Sequence, residues 1–167
     1  MSAADIDDKL GPKGELERLM DEHDDLRKYL EKPHYLARAT IPFGAGISED
    51  GATVYVDRGL KTVIHGVNVI GALATHERVE WGLRKFCGIG EDYSKEPEGH
   101  RLANRAEKEF VERLGVDWGK YCDFMDPQLE RIEHEKIRRI PKNLALYPYE
   151  HSPLYNKLLE ATGRSRR

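Results

Sequence analysis

The most apolar part of the chain, at about 66–87, follows the spacing of a helix buried along one side. Val69, Leu73 and Leu83 recur at helical steps and would lie on a single face. Polar residues occupy much of the opposite face. The pattern predicts a central helix against which other parts of the chain pack.

Four other segments are predicted to be helical. The second long helix is bracketed by Pro97, which suits the first turn of a helix, and by Gly115, which suits the position after its end. Proline also marks the end of the charged N-terminal helix and of the third long helix. In chain order, these predicted helices cover about 14–32, 97–114, 116–140 and 154–162.

Two short segments rich in β-branched and aromatic residues, 35–41 and 53–57, predict strands. The turn-forming run at 48–51 lies between them, so we expect a hairpin or a small antiparallel sheet. The predicted fold is therefore α+β and mostly helical, with a small antiparallel sheet packed on the central helix.

With 167 residues, the chain is long enough for one domain whose core needs no disulfide staples. We divide it into a charged N-terminal helical segment at 1–33 and a core domain at 34–151. A short C-terminal helix with a basic tail follows at 152–167.

Charged residues make up 34% of the chain, but both signs are mixed and the formal net charge is only -3. A nucleic-acid-binding protein would carry a basic stripe or patch, so nucleic acid ranks last among the expected partners. No apolar run reaches the roughly 18 residues of a membrane span. The two cysteines fit no CxxC or disulfide pattern, and no signal peptide opens the chain. We therefore expect a cytoplasmic protein. The sequence does not determine its oligomeric state.

Three ionisable residues interrupt the buried side of the central helix. His76, Glu77 and Glu80 fall between apolar positions, whereas Arg78 is expected to point to solvent. Burying a carboxylate is unfavourable unless it is paired or bound to a metal ion. These residues therefore indicate a site.

His100 and Glu107 interrupt the apolar seam of the second long helix in the same way. If the two seams pack together, His76, Glu80, His100 and Glu107 meet in one buried place and form a candidate metal centre. The outward face of the second helix is expected to carry Arg101, Arg105, Lys108 and Glu112.

The run Thr75-His76-Glu77-Arg78-Val79-Glu80 resembles the active-site helix of the zincin metallopeptidases, whose pattern is HExxH. In the gluzincin branch, two histidines of that helix and a glutamate of the next helix bind zinc. Here Glu80 replaces the second histidine, and His100 stands where that glutamate would be. The resemblance implies a zincin-like fold in which His76, Glu80 and His100 bind Zn²⁺ or another divalent transition metal. It also implies that Glu77 is the general base of a peptidase, and that the strand at 53–57 is the edge strand that holds a peptide substrate.

A wider resemblance covers about 38–151. The order of motifs is similar to that of a group of small uncharacterised proteins from phage and alpha-proteobacterial genomes. The shared motifs are Ser48-Glu49-Asp50-Gly51, Thr53-Val54-Tyr55-Val56-Asp57-Arg58, His76-Glu77-x-Val79-Glu80, His100-Arg101-x-Ala103-x-x-Ala106-Glu107, Gly115-x-Asp117-Trp118 and Pro148-Tyr149-x-His151. This resemblance supports the site as a unit and names no substrate.

Two interpretations of the site stay open. Three protein ligands would leave a position for water, which favours a metal-dependent hydrolase, whereas Glu107 as a fourth ligand would close the site. Alternatively, the His–Glu pairs only lock two helices together, with or without an ion. The protein would then be a non-catalytic, phage-derived binding or assembly protein.

Overall fold

The computed structural model describes residues 10–89, 98–131, 137 and 139–164. The strands are β1 (Tyr35–Ala39), β2 (Ala45–Ile47), β3 (Thr53–Asp57), β4 (Val63–Ile64) and β5 (Val67–Asn68). The helices are α1 (Glu15–Glu22), α2 (Asp24–Glu31), α3 (Ile70–Cys87), α4 (Glu98–Arg113), α5 (Trp118–Glu130) and α6 (Tyr155–Ala161), with a 3₁₀ turn at Tyr147–Tyr149. The mostly helical α+β class is confirmed. Within the described part of the chain, none of the helices has both the length and the apolar character needed to cross a bilayer.

The three-stranded sheet is mixed, with β3 in the middle. β1 pairs with β3 in parallel, and β2 pairs with β3 antiparallel. The prediction that 35–41 and 53–57 form an antiparallel pair is therefore wrong. The segment from Ala45 to Ile47, which lies between the two predicted strands, is itself the strand that pairs antiparallel with β3. Strands β4 and β5 form a separate antiparallel pair.

Two of the predicted helices differ in their bounds from the helices of the structure. The N-terminal helix is divided in two at His23, whose backbone is extended (φ -128°, ψ 92°). Pro127 lies inside α5, which ends at Glu130, earlier than the predicted end at 140. The predicted continuation of this helix at 132–136 and the end of the basic tail at 165–167 lie outside the described residues.

Helix α3 is central, as predicted, and packs on two sides. Toward the sheet, one cluster of buried residues includes Ala72, Leu73, Ala74, Val54 and Val56. Toward α4 and α2, another includes Val79, Leu83, Leu102, Ala103, Ala106 and Leu26. The many contacts between α3 and α4 bring together the two seams that carry the ionisable residues.

The arginines that we expected in solvent are largely buried. Arg78 is 8% exposed and donates hydrogen bonds to the backbone carbonyls of Tyr29, Leu30 and Lys32 at the end of α2. On α4, Arg105 and Lys108 are also buried, and the guanidinium groups of Arg101 and Arg105 bond to the carbonyls of residues 10 and 11. The prediction was wrong because the N-terminal segment covers this side of both helices.

Candidate metal centre

The site lies between α3 and α4. His76 and Glu80 are four residues apart, so both side chains project from the same side of α3, one turn from each other. His100 belongs to the first turn of α4, and Glu107 lies two turns further along it. The predicted convergence of His76, Glu80, His100 and Glu107 is confirmed.

Both histidines contact the same oxygen of Glu80. Nε2 of His76 is 3.0 Å from Oε1 of Glu80, and Nδ1 of His100 is 2.6 Å from that oxygen. The two imidazole rings meet edge to face, with centroids 4.9 Å apart and planes at 73°. One ligand atom from each of these three residues lies within 4.8 Å of the others. His76, Glu80 and His100 therefore form a group positioned to bind a metal ion.

Glu107 lies on the other side of the His76 ring. Its Oε1 is 2.9 Å from Nδ1 of His76, and its Oε2 accepts a hydrogen bond of 2.8 Å from the hydroxyl of Tyr121 on α5. The contact with Nδ1 is an ion-pair distance but is not aligned as a hydrogen bond, so this buried nitrogen has no hydrogen-bond partner in the described part of the chain. A chain of polar contacts thus runs from His100 through Glu80, His76 and Glu107 to Tyr121.

Burial and charge act in opposite directions on these groups. Burial opposes protonation of His76, but the carboxylates of Glu107 and Glu80 outweigh it and raise the pKa of His76 well above its usual value. Burial alone would raise the pKa of Glu80, yet His100 and His76 outweigh it and lower that pKa to about 2. Without an ion, the neighbouring carboxylates therefore favour a proton on His76. A divalent cation at the same place would satisfy the same carboxylates and replace that proton.

A cavity of about 500 Å³ opens beside the group. The side chain of His100 is 44% exposed, whereas those of His76 and Glu80 are 12% and 11% exposed. Glu77 is half-buried in the cavity wall. The exposed His100 thus lies toward solvent, and the two buried side chains, His76 and Glu80, lie behind it.

The strand beside this cavity is β2 rather than β3. Gly44 and Ala45 line the cavity, and β2 is an outer strand of the sheet. The prediction that residues 53–57 form the edge strand is wrong, since β3 has a neighbour on each side. The edge strand was predicted wrongly because the order of the strands in the sheet was predicted wrongly.

Tyr121 is a residue of the site that the sequence analysis missed. It is 2% exposed, and the burial of its hydroxyl raises its pKa, as does the neighbouring Glu107. The sequence did contain a signal for this residue. One apolar stripe on a predicted helix is formed by Trp118, Tyr121, Cys122 and Met125. A tyrosine in such a stripe needs a partner for its hydroxyl.

Comparison with protein-family models, curated proteins and solved structures finds no match to this chain. The similarity to zincin metallopeptidases and to small phage and alpha-proteobacterial proteins stays a prediction from motifs. The functional argument is therefore carried by the geometry of the His–Glu–His group and of the cavity beside it.

Proposed function

We propose that the protein is a metal-dependent hydrolase that acts on peptides. His76, Glu80 and His100 would bind Zn²⁺ or another divalent transition metal. The observation that carries the proposal is that these three side chains converge beside an open cavity. A structural ion is usually held by four protein ligands, whereas three ligands and a cavity are typical of a catalytic site.

The donor set suits a transition metal. Two imidazole nitrogens and one carboxylate oxygen make up a set that zinc enzymes use. When bound, such an ion polarises a substrate carbonyl and lowers the pKa of a water molecule. The protein's own contribution is to hold the ligands and supply a base.

Glu77 is proposed as the general base. It follows His76 directly, so its side chain is rotated by about 100° around α3 and projects into the cavity wall rather than toward Glu80. A half-buried carboxylate at that place can accept a proton from a water molecule in the cavity.

Glu107 is better suited to orienting His76 than to ligation. It contacts Nδ1, whereas Glu80 contacts Nε2 of the same ring. A carboxylate on the nitrogen that faces away from a metal ion fixes the ring and makes it a stronger ligand. Tyr121 in turn holds the carboxylate of Glu107.

A second candidate is a non-catalytic binding or assembly protein. Glu80 already contacts two histidines and Glu107 contacts a histidine and a tyrosine, so the polar groups largely satisfy one another without an ion. Such a network could serve only to lock α3 against α4.

Two substitutions made in parallel test the hydrolase. Glu77→Gln should keep the metal content of the wild type and lose nearly all peptide hydrolysis, because the amide cannot accept the proton. Glu80→Gln should lose metal, because a neutral amide is a poorer ligand than a carboxylate. Metal content by elemental analysis of untagged protein and cleavage of a broad peptide library are the two measurements.

Two results would contradict the proposal. If Glu80→Gln retains full metal occupancy, Glu80 is not a ligand. If the wild type binds metal but cleaves no peptide in the library, the non-catalytic candidate replaces the hydrolase.

A further inference from the structure

One wall of the cavity beside the His–Glu–His group is formed by α5. Trp118, Cys122, Asp126 and Leu129 line the cavity from this helix. Steps of four, four and three residues place these side chains in one row along α5. Trp118 and Cys122 are half-buried, whereas Asp126 and Leu129 are exposed. The row therefore leads from the interior of the cavity to its rim, and the carboxylate of Asp126 lies at that rim.

Apart from the histidines, the charged groups of this cavity have one sign. Among the described residues that line it, the carboxylates are Glu77, Glu107 and Asp126, and none is a lysine or an arginine. Glu107 already contacts His76 and Tyr121. A ligand with a positive charge would therefore be attracted into the cavity, whereas an anion would be repelled.

Asp126 has no cationic partner within the part of the chain that the structure describes. Burial raises the pKa of its carboxyl, and so do the carboxylates of Glu130, Glu107 and Asp123. The influence of Glu107, which contacts His76, shows that Asp126 lies near the ionisable groups of the site. A cation beside Asp126 would relieve the repulsion between these carboxylates.

Much of the remaining lining is apolar. Leu10, Leu73 and Leu129 contribute aliphatic side chains, and Trp118 contributes an indole ring. That ring stacks on the ring of Tyr121, with centroids 5.2 Å apart and planes at 20°. A small inorganic cation gains nothing from such walls, since it is bound by oxygen ligands. Apolar walls that lead to a carboxylate at the rim suit a long side chain with an aliphatic stem and a charged head.

We propose that this cavity binds the side chain of a lysine or an arginine, with the aliphatic stem along the apolar walls and the cationic head at Asp126. The cavity volume of about 500 Å³ lies within the range of roughly 300–1,000 Å³ that is typical of ligand pockets. The inference deepens the proposed hydrolase, because it names the substrate class as peptides that carry a basic residue next to the cleaved bond. It rests on the proposed function for the cleavage, but binding of the cation can be measured without it.

The binding test uses chelator-treated protein and short peptides with blocked ends. The peptides differ only at the central residue, which is arginine, lysine or citrulline, the neutral analogue of arginine with nearly the same shape. At low ionic strength, the wild type should bind the arginine and lysine peptides about fivefold more tightly than the citrulline peptide. This is the size of effect that a favourable, partly exposed ion pair produces. Isothermal titration calorimetry measures the affinities.

Asp126→Asn removes the charge and keeps the shape of the side chain. It should abolish the preference for the cationic peptides and leave binding of the citrulline peptide within about twofold. Because Asp126 is exposed and its charged neighbours are carboxylates, the variant should fold, and a melting curve checks this. Asp126→Glu should keep part of the preference, since it keeps the charge.

Asp123→Asn is the matched control. Asp123 is an exposed carboxylate on the same helix, and it does not line the cavity. The control has the same net charge as Asp126→Asn, so it should keep most of the preference if the attraction is local to the cavity.

The outcomes separate the two proposals. Equal binding of arginine and citrulline peptides by the wild type overturns the inference, and so does an equal loss of preference in Asp126→Asn and Asp123→Asn. A preference that depends on Asp126, without any cleavage by metal-loaded protein, supports the cation site and contradicts the hydrolase. Equal cleavage of arginine and citrulline peptides supports the hydrolase and overturns the inference.

Discussion

The two sides of α3 both bury ionisable side chains, but they satisfy them differently. On one side, His76 and Glu80 are paired with other side chains, and a cavity of about 500 Å³ adjoins them. On the other side, the guanidinium of Arg78 bonds to three backbone carbonyls at the end of α2. Side-chain partners beside a cavity can exchange for a ligand, whereas backbone carbonyls at a packed helix end cannot.

Gly82 explains why the Arg78 side is closed. A Cβ atom at this position would lie 2.9 Å from Cδ1 of Leu26 and 3.1 Å from the Tyr29 ring, so any larger residue would force these side chains of α2 to shift. The close approach places the end of α2 within reach of Arg78. A buried charge thus indicates a binding site only where the packing around it leaves space.

The largest expected effect on stability is at Arg78. Arg78→Met should reduce the free energy of unfolding by about 2–4 kcal/mol, because it leaves buried carbonyls at the end of α2 without a donor. The affinity for metal should stay within about twofold, since the site lies on the other side of α3. Urea denaturation and metal titration measure the two quantities.

Arg78→Lys is the control, because a lysine keeps the charge but lacks the planar fork of donors. The free energy of unfolding of Arg78→Lys should lie between those of the wild type and Arg78→Met. A loss of metal affinity equal to the loss of stability would contradict the separation of the two sides.

A metal ion or a chelator should change the stability of the protein only through the site at His76. At a free Zn²⁺ concentration of 100 times its dissociation constant, binding to the folded state should stabilise the wild type by about 2.7 kcal/mol. A chelator should reverse this gain, and His76→Ala should show no response to either. If the melting curve of the wild type does not respond to the ion, the metal-free network is the correct interpretation.

The smallest effect is expected from Tyr121→Phe. Loss of the hydroxyl leaves Glu107 free to move, so the affinity for Zn²⁺ or Co²⁺ should fall by about tenfold, which is typical when the group behind a metal ligand is removed. Tyr55→Phe is the matched control, because its hydroxyl bonds to Asn143 at 2.7 Å in another part of the protein. Equal affinities of Tyr121→Phe and wild type would mean that Glu107 is held without Tyr121, and that the chain of contacts does not reach the metal.

Particular residues show where prediction from the sequence worked. Apolar residues at helical spacing show which face of a helix is buried. These buried faces carry His76, Glu80, His100 and Glu107. The local pattern named these four residues, and the packing of α3 on α4 brings them together. Tyr121 did not follow, because its partner lies 14 residues away and on another helix.

The strands show the opposite result. The segments 35–41 and 53–57 were recognised as strands, but their pairing was not, because a parallel pair depends on a third strand that lies between them in sequence. Composition predicts a strand, whereas strand order is decided by contacts between distant segments.

By itself, the sequence determined the fold class, the central helix and the convergence of His76, Glu80, His100 and Glu107, because each depends on the period of apolar positions over one or two turns. Only the tertiary structure decided which arginines are buried, which strand is the edge of the sheet and on which side of the His76 ring Glu107 lies. Each of these depends on a segment that packs from elsewhere in the chain. Arg105 is covered by residues 10 and 11, and Arg78 is covered by α2. The sequence next to either arginine does not predict this contact, because the covering segment comes from another part of the chain.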